Sequence, residues 1–320
     1  MNRTFLEYLE SHPWLTEKGR PCVTSPDIDG LLCALVMGHV LDWECVGFYD
    51  GNQIALWKEP RHIPWSDAVF LDVEILRPDV HSIGNHLLAF DEDDASRLAR
   101  SFPGLMNPNL WRGIHFVPDF PRKYPFGTFP LLYCVLAFRG LLDPEPRHLG
   151  ALYYPDSGLE NAVVYKDNAL DWLRAMGAED PSSPLAPLCR MVSGQTVYGT
   201  LKALSEVQSL VAQAKFGRKQ KAARFDPETA SDRSRAARLW DLLRQKTGWR
   251  ASLPLLSEPV FVRRFETRRS PLDSKGRARA SFDAAARAGA LSLAATGRTS
   301  EGLSYTLPTR NVPRFSDLWP

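Results

Sequence analysis

The run Ala68-Val69-Phe70-Leu71-Asp72-Val73 is apolar at every position but one, and its single acid stands near the C-terminal end. A short continuous apolar run of this kind reads as a strand covered on both faces, the situation of strands inside a parallel sheet. Its neighbours in sequence alternate accordingly. Pro21-Cys22-Val23-Thr24 is a short strand ending in the turn Ser25-Pro26-Asp27-Ile28-Asp29-Gly30. Residues 31–41 then read as a buried helix, and residues 44–49 as a second strand closed by Asp50-Gly51-Asn52. Residues 81–85 form a weaker strand, residues 129–141 a strongly apolar helix, and residues 149–154 a fifth strand. That strand is followed by Pro155-Asp156-Ser157-Gly158 and a helix around residues 168–176. Such alternation predicts an α/β fold, a mostly parallel sheet with helices on both faces.

Two domains are expected, residues 1–195 and residues 196–320, with a linker around residues 178–184. The second holds helical stripes at Leu201, Leu204, Val207, Val211 and Ala214 and at Leu239, Leu242 and Leu243. Residues 253–265, 290–295 and 303–307 read as strands of a smaller, basic α+β unit. Charge divides along the same line. Residues 215–279 carry 18 Lys and Arg against 7 Asp and Glu, an excess of +11 that leaves −9 for the rest of a chain with net charge +2. A basic part meets phosphate readily and an acidic part holds metal ions. The five cysteines are odd in number and lack any C-x-x-C pair, which argues against a disulfide framework and a zinc site. Residues 1–7 include an early acid and no apolar core of a signal peptide, and the longest apolar run is too short to span a bilayer. A cytoplasmic protein without membrane association is expected.

Asp27, Asp29, Asp72 and Asp156 all fall at or just beyond expected strand ends, where open α/β sheets gather their ligands. Carboxylates one residue apart after a strand can turn two oxygens toward hard cations such as Mg²⁺ or Mn²⁺. One or two ions held so can activate water and neutralise a phosphate, so phosphoester hydrolysis is the chemistry such a cluster would support.

In this order and spacing the motifs resemble the DHH phosphoesterase superfamily, which includes RecJ-type nucleases and oligoribonucleases. Pro26-Asp27-Ile28-Asp29-Gly30 resembles its first motif, Phe70-Leu71-Asp72 its second, and Tyr154-Pro155-Asp156-Ser157-Gly158 its fourth. Ile83-Gly84-Asn85-His86 lies where Asp-His-His would fall, and Gly127-Thr128-Phe129 matches the Thr-led helix before the fourth motif. The resemblance covers residues 20–180. It implies Asp27, Asp29, Asp72, Asp156 and Asn85 as ligands of Mn²⁺ or Mg²⁺, with His86 and Asp72 catalytic. The chain departs from the pattern at Val23, Gly84 and Asn85, which stand where the family has two histidines and an aspartate. Asp91, Glu92, Asp93 and Asp94 are a candidate replacement carboxylate source, or dipole-favouring acids opening a helix.

No Gly-Gly-His motif occurs. Thr296-Gly297-Arg298-Thr299 resembles the family's phosphate-gripping arginine element, and Lys219 and Lys221, within the run Lys215, Arg218, Lys219, Lys221 and Arg224, could track a nucleic-acid backbone. Two functions follow: a metal-dependent phosphodiesterase acting on nucleic acid or oligonucleotides, or a catalytically degenerate relative serving as a nucleic-acid- or protein-binding subunit of a larger complex. A haloacid-dehalogenase-type phosphatase shares Asp-x-Asp, but the partner motifs are missing.

Overall fold

The structure, a computed structural model, describes residues 4–56, 63–157, 164–183, 185–194, 197–217, 222–253, 256, 260–272, 278–295 and 302–307. The chain packs as two compact units that interleave along the sequence: residues 1–19, 26–44 and 124–257 form one, and residues 20–25, 45–123 and 258–320 the other. A division at residue 195 therefore differs from the division by packing. It falls inside the first unit, between helices Ala186–Ser193 and Val197–Gln213.

In chain order, α1 (Phe5–Glu10) precedes β1 (Pro21–Thr24), α2 (Ile28–Leu41), β2 (Glu44–Tyr49), β3 (Gln53–Leu56), β4 (Val69–Leu71) and β5 (His81–Ile83). Then come α3 (Glu92–Ser101), β6 (Leu105–Met106), α4 (Pro108–Arg112), α5 (Thr128–Phe138) and α6 (Leu149–Tyr153). Four helices follow, α7 (Lys166–Ala175), α8 (Ala186–Ser193), α9 (Val197–Gln213) and α10 (Ala230–Thr247). The chain closes with β7 (Phe261–Arg264), β8 (Thr267–Ser270), α11 (Ala278–Arg287), β9 (Ser292–Ala295) and β10 (Leu303–Thr306). Among the described residues no helix is long and apolar enough to cross a membrane.

The α/β class holds. The larger sheet has the order β6-β5-β4-β1-β2-β3-β7. Strands β6, β5, β4 and β1 run parallel, whereas β2, β3 and β7 pair antiparallel. Central β4 is buried at all three positions, as its unbroken apolar sequence requires. Its Phe70 stacks on Trp65 at 5.4 Å and meets Tyr49 edge-on at 6.3 Å. Such fully buried rings each contribute about 1.5–3 kcal/mol.

Strands β7, β8, β9 and β10 do not stand apart as a terminal domain. β7 extends the large sheet beside β3, while β8, β10 and β9 make a three-stranded sheet within the same compact unit. Tyr49 ties the two sheets together. Its hydroxyl bonds Ser292 Oγ at 2.8 Å and Thr306 Oγ1 at 3.0 Å, and burial pushes the phenol up to about 12 despite those bonds.

One expectation is corrected. Residues 149–153, with Tyr154 as C-cap, are helix α6 where a fifth strand over residues 149–154 was expected. Their short unbroken apolar run fits a buried helix as well as a buried strand, and periodicity cannot separate the two. Packing decides it, because α6 lies against α9 and α5 and all five of its residues are buried. Asp156 consequently follows a helix, not a strand.

In the helical unit, His148 joins three segments. Thr247 O can only accept, so His148 Nε2 carries the proton across 3.2 Å, and Nδ1 accepts from the Tyr133 hydroxyl at 2.9 Å. Burial first, with Arg147 and His39 adding, lowers the imidazole from its ordinary 6.5 despite the bond to Thr247. The unfolded chain thus binds this proton more readily than the folded one, so stability is lost as pH falls below about 6.5 and stays constant above it. Thermal melts between about pH 5 and 8 should show the midpoint falling on the acid side, with a shallower fall in His148→Gln.

Candidate functional site

Within the sheet unit, β1 and β4 are parallel neighbours, so the residues that follow them, Ser25 and Asp72, leave the sheet at the same edge. The Ser25 hydroxyl donates to Asp72 Oδ2 at 2.5 Å. Asp72 is 5% exposed and has φ of +61°. Left-handed backbone costs a side-chain-bearing residue about 1–2 kcal/mol, least for Asp and Asn. The chain bears that cost at the end of its most buried strand.

His86 is the second member. Its Nε2 lies 3.8 Å from Asp72 Oδ1, with the imidazole one-third exposed and the carboxylate buried. The loop carrying His86 is fastened by Glu74, which the sequence reading overlooked. Glu74 is 2% exposed, and its Oε1 accepts from the N–H groups of His86 (2.8 Å) and Leu87 (2.9 Å) and from Asn107 Nδ2 (2.9 Å). Burial raises the carboxyl, while the His86 imidazole, the Leu87 N–H and the Asn107 amide pull the other way. A Cβ on Gly84 would come within 2.4 Å of the Glu74 carboxyl carbon. Glycine at 84, one of the departures from the family pattern, is what gives this carboxylate its room. The available signal was the spacing, since Glu74 stands two residues beyond Asp72 in an otherwise apolar run.

Asn85 is buried on the same loop, and its carbonyl accepts from Asn109 Nδ2 at 3.3 Å. Asn107 and Asn109 thus hold the His86 loop from behind, Asn107 reaching the carbonyls of Gly84 and Leu87 and Asn109 that of Leu87. From the other side, Ala295 at the end of β9 donates its N–H to the His86 carbonyl at 2.9 Å. Among the acids of residues 91–94, Asp91 caps α3 by accepting from Asp94 N at 3.1 Å and pairs with Arg279 at 2.7 Å, while Asp94 pairs with Arg97 at 3.0 Å. Those two acids anchor helices.

Asp27, Asp29 and Asp156 belong to the helical unit. Asp27 is the N-cap of α2, its Oδ1 accepting from Gly30 N at 3.2 Å. Asp29 is 2% exposed and serves another helix: Oδ2 accepts from Thr128 N at 2.8 Å and Oδ1 from Phe129 N at 2.7 Å. Gly127 supplies no side-chain cap to α5, and a Cβ there would lie 2.4 Å from Asp29 Oδ2. A buried carboxylate at a helix N-terminus satisfies orphan donors and meets the favourable end of the helix dipole. Asp156 is exposed in a one-turn helix and, like Asp72, is left-handed, with φ of +50°.

The basic segment meets the first motif directly. Ile28 N donates to Ala222 O at 2.9 Å and Phe225 N to Pro26 O at 3.0 Å, so residues 222–225 are bonded to the loop that carries Asp27. Lys219, Lys221, Arg298 and Gly158 lie outside the described residues.

A hard divalent ion needs a shell of oxygens. Among the described residues no group of three or more His, Cys, Asp or Glu is placed to hold one. Each Asp29 oxygen has one lone pair engaged by a backbone N–H of α5.

Asp29→Ala should destabilise the fold by about 2–4 kcal/mol, since two buried donors lose a charged acceptor. Asp29→Asn, which keeps one acceptor, should cost about half as much, and chemical denaturation measures both. Compared with known proteins, the chain matches no family model, no curated protein and no solved structure.

Proposed function

We propose that the protein is a DHH-like phosphodiesterase acting on nucleic-acid ends or oligonucleotides, with Asp72 and His86 as its reacting pair. The observation that carries this reading is Asp72, a buried acid held in left-handed backbone at the end of the central strand, 3.8 Å from a half-buried imidazole. Strained residues cluster where function requires a particular aim, and the inference runs from the outlier to the role. The DHH-like character of the sheet belongs to the same proposal and rests on the first and second motifs following parallel neighbours β1 and β4.

The chemistry follows from the pair. Hydrolysis forms a bond from water oxygen to phosphorus, a proton of that water passing to solvent, and breaks the bond to the leaving oxygen, which takes a proton. His86, reachable from solvent, supplies that proton, and the Asp72 carboxylate favours the charged ring and fixes its aim. Ser25 holds the carboxylate by its other oxygen, and Glu74 holds the His86 loop. What supports a nucleic-acid substrate is the charge of the run from Lys215 to Arg224, including Lys219 and Lys221, since clustered cations neutralise successive phosphates. Arg298, the remaining candidate for phosphate, follows Ala295 by three residues in sequence.

Asp72→Asn is the sharpest variant, because asparagine tolerates the left-handed backbone and still accepts from Ser25. It should reduce hydrolysis of a labelled oligonucleotide by about 100-fold or more with an unchanged melting temperature. Assays after EDTA treatment and with Mn²⁺ or Mg²⁺ restored measure whether hydrolysis needs a divalent ion. Equal rates for wild type and Asp72→Asn under every condition would refute the enzyme reading.

Asp156→Gly separates function from stability. Glycine relieves the left-handed strain at an exposed position and should raise stability by up to about 1 kcal/mol, while activity falls if Asp156 serves the reaction.

One observation favours the second reading, a degenerate binding subunit. Asp29 is occupied as the cap of α5, a role that leaves a helix in place without catalysis. On that reading oligonucleotide binding persists in Asp72→Asn and is lost when Lys219 and Lys221 are reversed to glutamate.

A further inference from the structure

Behind the His86 loop, wholly within the sheet unit, lies a cavity of about 240 Å³ that the proposed reaction does not use. Leu87, Leu88, Leu98, Phe102, Phe282 and Leu293 give it apolar walls, and the exposed Ala286 and Gly289 stand at its margin. Three charged side chains also line it: Arg77, Asp94 and Arg97.

Two of the three are mutually satisfied, since Arg97 Nη2 donates to Asp94 Oδ1 at 3.0 Å. Arg77 differs. Its Nη1 donates to the carbonyls of Leu76 (2.5 Å) and Ala290 (3.2 Å), and among the described residues it makes no ion pair with a carboxylate. Burial lowers the guanidinium, opposed by weaker attraction from Tyr49 and Asp79. A partly buried cation whose hydrogen bonds go to neutral carbonyls leaves much of its charge uncompensated, a costly arrangement unless an anion completes it.

Size and charge restrict the occupant. Sites for drug-sized ligands run to about 300–1,000 Å³, so this one takes a short chain or a single ring. One cation is available and Asp94 lies on the wall, which favours a single negative charge over a phosphate dianion. We infer that this cavity binds a small amphipathic monocarboxylate, its apolar body among the leucine and phenylalanine side chains and its carboxylate on the Arg77 guanidinium. The inference is independent of the phosphodiesterase reading, since it uses neither Asp72 nor His86.

Isothermal titration of the full chain with octanoate and decanoate, and with decanol as the neutral control, tests it. Wild type should bind both acids saturably at one site, decanoate roughly tenfold tighter for its two extra methylenes, and decanol more weakly. Arg77→Gln should weaken decanoate by about tenfold or more. Ala286→Trp, a change at an exposed margin position, should block binding with an unaltered melting temperature, and it keeps the test decisive if the Arg77 variant misfolds. Absence of saturable binding by either acid, decanol binding as tightly as decanoate, or unchanged affinity in Ala286→Trp would overturn the proposal.

Discussion

A carboxylate is stable inside a protein only where hydrogen-bond donors or cations converge on it, and each compact unit here is organised around one held by N–H groups. In the helical unit Asp29 gathers the first two donors of α5, a helix buried along nearly all its length and lacking a side-chain cap of its own. In the sheet unit Glu74 gathers two backbone donors and an amide from the loop that carries His86. Both arrangements need a glycine facing the carboxylate, Gly127 in one case and Gly84 in the other. The same physical solution appears twice, once at a helix start and once at a loop, and the elements around each are positioned by it.

This changes how the acids divide. Those that look alike in sequence do different work: Asp27, Asp29 and Asp91 satisfy helix N-termini, whereas Asp72 accepts a serine hydroxyl and stands beside an imidazole. Of the described acids with left-handed backbone, Asp42 is the C-cap of α2, which leaves Asp72 and Asp156 as the ones worth pursuing for chemistry.

Local patterns were legible where burial is expressed locally. Strands β1, β2, β4 and β5 and helices α2, α5 and α7 follow from runs of apolar residues and flanking turn signals, and the parallel pairing of β1 with β4 follows from their alternation with helices. What escaped depends on contacts distant in sequence. Residues 149–153 are helical because α9 and α5 pack on them, and nothing in Leu-Gly-Ala-Leu-Tyr announces those partners. Strand β8, Thr-Arg-Arg-Ser, has no apolar alternation and owes its existence to pairing with β10. Glu74 was missed for a related reason: an acid after a buried strand reads as a turn residue until its donors, supplied from residues 86, 87 and 107, are known.

The bond from Ala295 N to the His86 carbonyl, with β7 at the edge of the large sheet, closes a circuit between chain segments some 200 residues apart. Closing loops of that length costs entropy before the contacts repay it. During synthesis the strands nearest the N-terminus emerge long before β7 and β9 exist to complete their unit, and the helical segments between residues 124 and 257 are made in the interval. The sheet must wait, its β3 edge unpaired on one side, until residues beyond 260 arrive. An exposed strand edge is a template for unwanted pairing, so the interleaved layout makes the order of assembly, and protection of that edge meanwhile, a condition of obtaining the folded protein at all.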